Sequence, residues 1–343
     1  MTTTIAAAHL APVFLDRTAT TAKALDAIAE AARAGASLVA FPEAYLPGFP
    51  LWTALRAPIH NHDLFAAYVE NSVAVDGPEI EQIRQAARRH EVLVSLGISE
   101  RNPASVGSIW NSNLLIDTDG AVLNHHRKIV PTFYEKLVWT PGDGHGLRVT
   151  PTGIGRVGML ICGENTNPLA RYTLMAEAEQ LHISTWPPLW PTRDPSGDGK
   201  NYDLESAIRI RAGAHAFEAK VFNLVVSAVF DDTARRTLHS LGTDAERIID
   251  NSAHGVSMVI GPFGDVVSDV QRSEGILYCD IDLADCVEPK QFHDVTGYYN
   301  RFDIFTLNVD RRRVRPITFT GESTAQRTDA ALLPATTESG SNG

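Results

Sequence analysis

A carboxylate, an ammonium and a thiol each stand directly after an apolar or strand-like run in this chain. Glu43 follows Val39-Ala40-Phe41-Pro42, Lys128 closes the run His125-His126-Arg127-Lys128, and Cys162 follows Val157-Gly158-Met159-Leu160-Ile161. A base, a cation and a thiol at strand ends are the minimum set for thiolate chemistry on a carbon–nitrogen bond. The base takes the thiol proton, and the cation stabilises charge that builds on nitrogen. After Cys162, Gly163-Glu164-Asn165-Thr166-Asn167-Pro168 predicts a sharp exit from strand through loop into helix. Such an exit exposes the turn residue and aims backbone N–H groups at an anion. Taken singly, each residue has a plainer reading. A lone cysteine after a strand is usually a small buried hydrophobe, a loop glutamate is usually solvated, and a basic run is usually a solvated face. Lys128, however, leads into Ile129-Val130-Pro131, an awkward place for a purely exposed cation, and a further acid, Glu135, lies one or two turns beyond it. The combination points to an enzyme.

The elements that must position these groups are legible in the hydrophobic periodicity. Residues 5–10 read as a strand, 18–34 as a helix stopped by Gly35, and 38–41 as a short strand running up to Glu43. A helix from Gly77-Pro78 to Arg89 and a strand over 92–98 repeat the pattern, and 109–116 with 121–126 form a hairpin around Asp119-Gly120. A buried-type strand over 156–161 precedes a helix over 169–178 and a strand over 181–185. A helix over 204–218 and strands over 221–227, 256–260 and 276–281 complete the order. Alternating strands and helices with hairpins indicate one layered α/β domain over residues 1–322, with 323–343, poor in groups to bury, expected as a disordered tail. Two stretches do not fit the alternation: the Pro/Gly-rich segment 186–200 with Trp186 and Trp190, and the polar segment 230–254. Each reads equally as a lid or interface element and as a plain surface loop.

Composition narrows the class. The chain has 343 residues, 44% of them hydrophobic and 21% charged, with a formal net charge of −11, which argues against nucleic acid or an anionic membrane as a partner. The apolar start, residues 2–8, is broken by His9 and Pro12, far short of the roughly 18 residues a membrane span needs, and no basic residue precedes it. Three cysteines form no disulfide framework and suggest a reducing, cytoplasmic setting; no Cys/His set has zinc-finger spacing.

Several further motifs carry a resemblance. Phe41-Pro42-Glu43-Ala44 is followed by His126-Arg127-Lys128-Ile129 with Pro131-Thr132 and Glu135, then by Val138-Trp139 and Gly142-Asp143-Gly144. Next come Cys162-Gly163-Glu164-Asn165 with Asn167-Pro168-Leu169-Ala170-Arg171, and Asp294 with Gly297-Tyr298-Tyr299 and Arg301-Phe302-Asp303. In this order, over residues 4–305, the chain resembles the nitrilase, or carbon–nitrogen hydrolase, superfamily and within it the nitrilase branch. The resemblance implies a single-domain α-β-β-α sandwich and a Glu-Lys-Cys triad supported by a second glutamate, carried onto Glu43, Lys128, Cys162 and Glu135. It also implies homodimers, often built into spiral assemblies, and no metal or organic cofactor. Two departures stand out. Many nitrilases have Trp where this chain has Gly163, which bears on substrate preference. Tyr298 and Phe302 replace the His and Pro of the usual C-terminal signature, which bears on an assembly or pocket contact.

The expected reaction is hydrolysis of an organic nitrile to the acid and ammonia through a thioimidate and thioester on Cys162, with some amide by-product. Trp52, Tyr134, Trp186, Trp190 and Phe49 are candidates to wall an apolar substrate pocket, and residue 163 to supply a backbone N–H; aromatic clusters are, however, more often simply core. The rival readings are an aliphatic amidase or N-carbamoyl hydrolase with the same triad and, remotely, a non-catalytic scaffold of the same fold.

Overall fold

The computed structural model describes residues 2–194 and 201–315. The chain forms a compact unit over Met1–Arg313; of a second unit, Val314–Gly343, only residues 314 and 315 are described. The predicted boundary at 322 and the predicted tail therefore lie outside the described residues.

In chain order the elements are β1 Thr2–His9, α1 Arg17–Arg33, β2 Leu38–Ala40, α2 His62–Asn71, α3 Pro78–His90, β3 Leu93–Arg101, β4 Ile109–Ile116 and β5 Val122–Arg127. They continue with β6 Thr150–Thr152, β7 Gly155–Ile161, α4 Pro168–Met175, β8 Leu181–Trp186, α5 Leu204–Ala219 and β9 Phe222–Ser227. The last are α6 Asp232–His239, α7 Thr243–Asp250, β10 Met258–Ile260, β11 Gly275–Asp282 and α8 Val287–Lys290. One sheet runs β11-β1-β2-β3-β4-β5 and the other β10-β9-β8-β7-β6. Within them β1-β2-β3 and β7-β8-β9 are parallel, joined by helical crossovers.

Side-chain alternation explains the layering. On β1, Ile5 and Ala7 pack with Leu38, Ala40 and Leu93 against Val157, Met159, Ile183 and Leu224 of the other sheet. Ala6 and Ala8 face the opposite way, onto Ala24, Ile28 and Ala31 of α1 and Ile80 and Ile83 of α3. The second sheet buries its outer face against Leu204, Ile208, Ala212 and Ala216 of α5, spaced four apart along one stripe. Strands covered on both faces read as continuous apolar runs, which is why they were visible in the sequence. The result is the expected α-β-β-α order. The helix ends follow local rules: Asp16 accepts a hydrogen bond from Ala19 N–H at 2.9 Å to cap α1, and α3 begins with Pro78 and carries Arg88, Arg89 and His90 in its last turn.

One expectation needs correction. Segment 230–254 is no surface loop: it forms α6 and α7, whose Ala234, Leu238, Ala245 and Ile249 join the core beside Phe230. Each of these helices has only two buried apolar positions, too few for a periodicity to stand out against the surrounding charges. Helix α2 was missed for the same reason, since Tyr68 is its only buried residue. Of segment 186–200, Trp186 ends β8 and Trp190 is buried, while residues 195–200 lie outside the described residues.

Candidate active site

β2, β5 and β7 end on the same region, and Glu43, Lys128 and Cys162 are carried just past their carboxyl ends, where α/β sheets place ligands. Lys128 is 1% exposed, Glu43 1% and Glu135 0%. The Lys128 ammonium donates to Glu135 Oε1 and Oε2 at 2.8 and 2.7 Å and to Glu43 Oε1 at 2.8 Å, so all three of its N–H groups face carboxylates. Glu135 sits on the 3-10 turn Phe133–Leu137, where its Oε2 also accepts the Thr132 N–H at 2.7 Å. That reciprocal capping bond fixes the carboxylate that in turn fixes the ammonium.

Glu43 Oε1 also accepts from Asn111 Nδ2 at 2.7 Å, whereas its Oε2 has no hydrogen-bond partner. The Cys162 thiol lies within 4.8 Å of carboxylate oxygens of both Glu43 and Glu135. Cys162 adopts φ +50°, a left-handed conformation that costs a non-glycine residue about 1–2 kcal/mol. The turn is held by Asn165 Nδ2, which donates to the Cys162 carbonyl at 3.0 Å, and by Glu164 Oε2, which accepts the Ile161 N–H at 2.9 Å. A cavity of about 20 Å³ reaches Glu43 between Phe49, Leu51 and Phe230, room for a single water.

The electrostatics follow from burial and proximity. Burial, with the charge of Glu43 added, pushes the Cys162 thiol well above its usual range; Lys128 opposes this but does not win. Burial raises Glu135 to about 7 despite Lys128. Burial also works against the Lys128 charge, yet the anionic groups around it hold the ammonium well above its ordinary pKa. A resting thiol beside a fixed ammonium and a carboxylate oxygen without a partner is set to lose its proton only as it attacks.

The basic run preceding Lys128 is not the solvated face that such runs usually form. Strand alternation sends His125 and Arg127 to Glu100, with His125 Nε2 and Glu100 Oε2 2.7 Å apart, and sends His126 to Glu164 at 2.9 Å. Glu164 Oε1 accepts the Ile129 N–H at 2.5 Å, so one buried carboxylate ties the lysine segment to the cysteine turn. Asn111, Glu164 and Asn165 were not assigned roles from sequence. Consecutive buried polar residues in the apolar strand β4, Asn111-Ser112-Asn113, were the available signal for the first.

The aromatic candidates converge. Phe49, Trp52, Tyr134, Trp186 and Trp190 share one apolar cluster with Cys162 and Trp139, and the rings of Tyr134 and Trp190 lie 4.4 Å apart. Trp52 Nε1, Tyr134 OH and Trp186 Nε1 are buried without hydrogen-bond partners. A Cβ on residue 163 would come 2.6 Å from Thr132 Oγ1, so Gly163 is what lets the cap of the Glu135 turn touch the cysteine turn. Tyr298, Tyr299 and Phe302 are exposed on the surface.

Among the described residues, two groups bring three potential metal ligands together: Glu43-Glu135-Cys162 and Glu179-His182-His215. In the first, the Lys128 ammonium already occupies the cation's place between the carboxylates. In the second, both Glu179 oxygens are engaged by imidazole nitrogens at 2.7 and 2.6 Å.

Comparison with known proteins is consistent with this geometry. The carbon-nitrogen hydrolase family profile matches residues 4–291. An arylacetonitrilase of Hypocrea virens is 36% identical over 91% of this chain and 93% of its own length. An aliphatic nitrilase of Rhodococcus rhodochrous is 34% identical over 91% of this chain and 84% of its own. Among solved structures, a carbon-nitrogen hydrolase from Helicobacter pylori G27 superposes with a TM-score of 0.69 at 19% identity, covering 88% of this chain and 97% of that one, a likeness of fold alone.

Proposed function

The chain belongs to the carbon–nitrogen hydrolase family, and from that premise we propose that it hydrolyses an organic nitrile to the carboxylic acid and ammonia, with Cys162 as nucleophile. The observation that carries this reading is the buried ion group of Glu43, Lys128 and Glu135 with a thiol within 4.8 Å and one carboxylate oxygen left without a partner. As the Cys162 sulfur bonds to the nitrile carbon, its proton passes to Glu43 Oε2 and on to the nitrile nitrogen, giving a thioimidate. Lys128 gives up one of its carboxylate bonds to meet the charge developing on that nitrogen, helped by the backbone N–H of residue 163. Glu43 then takes a proton from water as it adds to the thioimidate carbon and passes that proton to the nitrogen; the new hydroxyl proton leaves with the nitrogen as ammonia, or returns to sulfur, when the intermediate collapses. Cleavage of the C–N bond releases ammonia and leaves a thioester, which a second water hydrolyses to the acid. Cleavage of the C–S bond at the tetrahedral stage releases the amide instead. Glu135 orients Lys128 and balances its charge.

Nitrile is favoured over amide as substrate by the arylacetonitrilase and nitrilase relatives at 33–36% identity. Trp52, Tyr134 and Trp186, crowded with Cys162 into one apolar cluster, suit an aryl or arylaliphatic group. Exposed Phe302, Ile304 and Phe305 suit assembly into a homodimer or larger homo-oligomer, which light scattering measures directly. Three free thiols suit a cytoplasmic setting, and no described helix is long and apolar enough to cross a membrane.

The test is ammonia release from phenylacetonitrile, mandelonitrile, benzonitrile, 3-phenylpropionitrile, a short dinitrile and cyanide, each nitrile run beside its amide. Acid formed from nitriles with the amides inert supports the reading; turnover of amides alone replaces it with an amidase. Cys162→Ala should lower turnover by about 10⁴-fold or more while the protein stays folded. Activity retained in that variant would remove Cys162 from the mechanism.

A further inference from the structure

A second set of buried ionisable groups lies behind the cysteine turn, and the reaction above does not use it. Glu179, His182 and His215 are each 0–1% exposed. Glu179 Oε1 accepts from His182 Nδ1 at 2.7 Å and Oε2 from His215 Nε2 at 2.6 Å. The other nitrogen of His182, Nε2, faces Asn165 Oδ1 at 3.0 Å. The Asn165 amide is oriented by what its nitrogen touches, since Nδ2 donates to the Cys162 carbonyl at 3.0 Å and the Leu160 carbonyl at 3.4 Å. Its oxygen is thereby turned to His182, so His182 must donate from both ring nitrogens, one to Glu179 and one to Asn165. Glu179 also lies directly on the strand that carries the thiol: a Cβ on Gly158 of β7 would sit 1.9 Å from Glu179 Oε1.

We propose that Glu179, His182 and Asn165 form a positioning arm that locks the carbonyl of Cys162, and through it the left-handed turn presenting the thiol. The inference rests on Cys162 being the nucleophile. Asn165, His182 and Glu179 act as positioning residues, touching the turn and not the substrate. His215 shares the Glu179 carboxylate and its ring lies 4.0 Å from that of His182, but it has no hydrogen bond to His182 or Asn165; His215→Phe keeps an aromatic ring beside His182 and so serves as the internal control.

The readout that isolates positioning is the rate at which iodoacetamide alkylates Cys162, followed by mass spectrometry of its peptide, because it involves no nitrile. Asn165→Asp is nearly isosteric and keeps an acceptor for His182, but puts a carboxylate oxygen against the Cys162 and Leu160 carbonyls where an N–H donor stood. Alkylation should slow about 10–100-fold, and kcat on the best nitrile should fall in proportion with KM within about threefold. His182→Leu, which leaves Asn165 without its donor, should slow alkylation similarly, whereas His215→Phe should leave it within about twofold. The His182→Leu and His215→Phe pair also carries the test if Asn165→Asp fails to fold. Unchanged alkylation in Asn165→Asp, or equal slowing in His182→Leu and His215→Phe, would overturn the arm and leave the cluster a purely structural one. An inactive nitrile panel with a slowed thiol would instead refute the substrate reading alone.

Discussion

Two clusters of charge are buried in this molecule, and they differ in how completely their carboxylates are satisfied, although His215 Nδ1 in the first also lacks a partner. Behind the cysteine turn, both oxygens of Glu179 accept a ring N–H, and the carboxyl is held down to about 2: burial opposes its charge, but His182 and His215 outweigh it. At the strand ends, Lys128 has every N–H engaged, yet Glu43 keeps one oxygen without a partner and the thiol stays protonated beside it. Buried polar groups are normally paired because an unpaired one costs about 1–3 kcal/mol. An unpaired carboxylate oxygen within 4.8 Å of a protonated thiol therefore marks where the protein holds capacity for a proton in transit. The closed cluster braces and the open cluster reacts.

The largest effect should come from breaking the open cluster at its cation. Lys128→Ala would leave Glu43 and Glu135 as facing buried carboxylates with nothing between them. We expect turnover to fall by about 10³-fold or more and stability by about 3–5 kcal/mol. Parallel urea titration and nitrile turnover check this. Near-native stability would mean that one carboxyl had taken up a proton in place of the ammonium, and the expected sign of that uptake is set by Glu135, already raised by burial to about 7.

A smaller effect should come from the link between the lysine and cysteine segments. Glu164 accepts the Ile129 N–H, the Ile161 N–H and His126 Nε2 with a single carboxylate. Burial opposes its charge, yet the contacts with His126 and the two backbone N–H groups hold its pKa below the usual range. Glu164→Gln keeps the shape but turns one acceptor into a donor facing donors. We expect a loss of about 1–3 kcal/mol and about a tenfold fall in kcat with KM nearly unchanged. A drop in KM-dependent terms alone would place Glu164 outside the alignment of the two segments.

What the sequence revealed and what it hid follow the same division. Glu43 and Cys162 were legible because each follows a run buried on both faces, and buried runs are continuous in sequence, whereas Lys128 was legible through the apolar Ile129-Val130-Pro131 that follows it. The partners of those groups were not. Asn111 is 68 residues from Glu43 and Glu164 is 38 from His126, so pairing depends on sheet order and register that local patterns do not encode. The four-residue basic run shows the cost: read alone it is a solvated face, yet alternate residues find Glu100 on one side and Glu164 or Glu135 on the other. His182 was the one visible clue to the closed cluster, a histidine inside the apolar strand Leu181–Trp186.

The smallest effect tests the closed cluster through acid stability. Burial, with His182 beside it, lowers His215 to about 4 although Glu179 pulls the other way. An imidazole whose folded pKa lies below its unfolded value near 6.5 is protonated more readily in the unfolded chain between those limits. Its contribution is full above about pH 6.5 and is lost as pH falls toward about 4, a drop of about 3 kcal/mol at most. Below about 4.5 the Glu179 carboxylate adds a second loss in the same direction, because its folded pKa of about 2 also lies below the unfolded value. His215→Phe deletes the first of these while leaving Glu179 Oε2 without its donor. The variant should be less stable at pH 7.5 by about 1–3 kcal/mol but lose less on acidification from 7.5 to 5 than the parent. Part of the slope should survive, since burial also lowers His9 and His254. Urea midpoints at pH 7.5, 6 and 5 measure both quantities. An unchanged slope would mean that His215 adds nothing to the acid sensitivity of the fold.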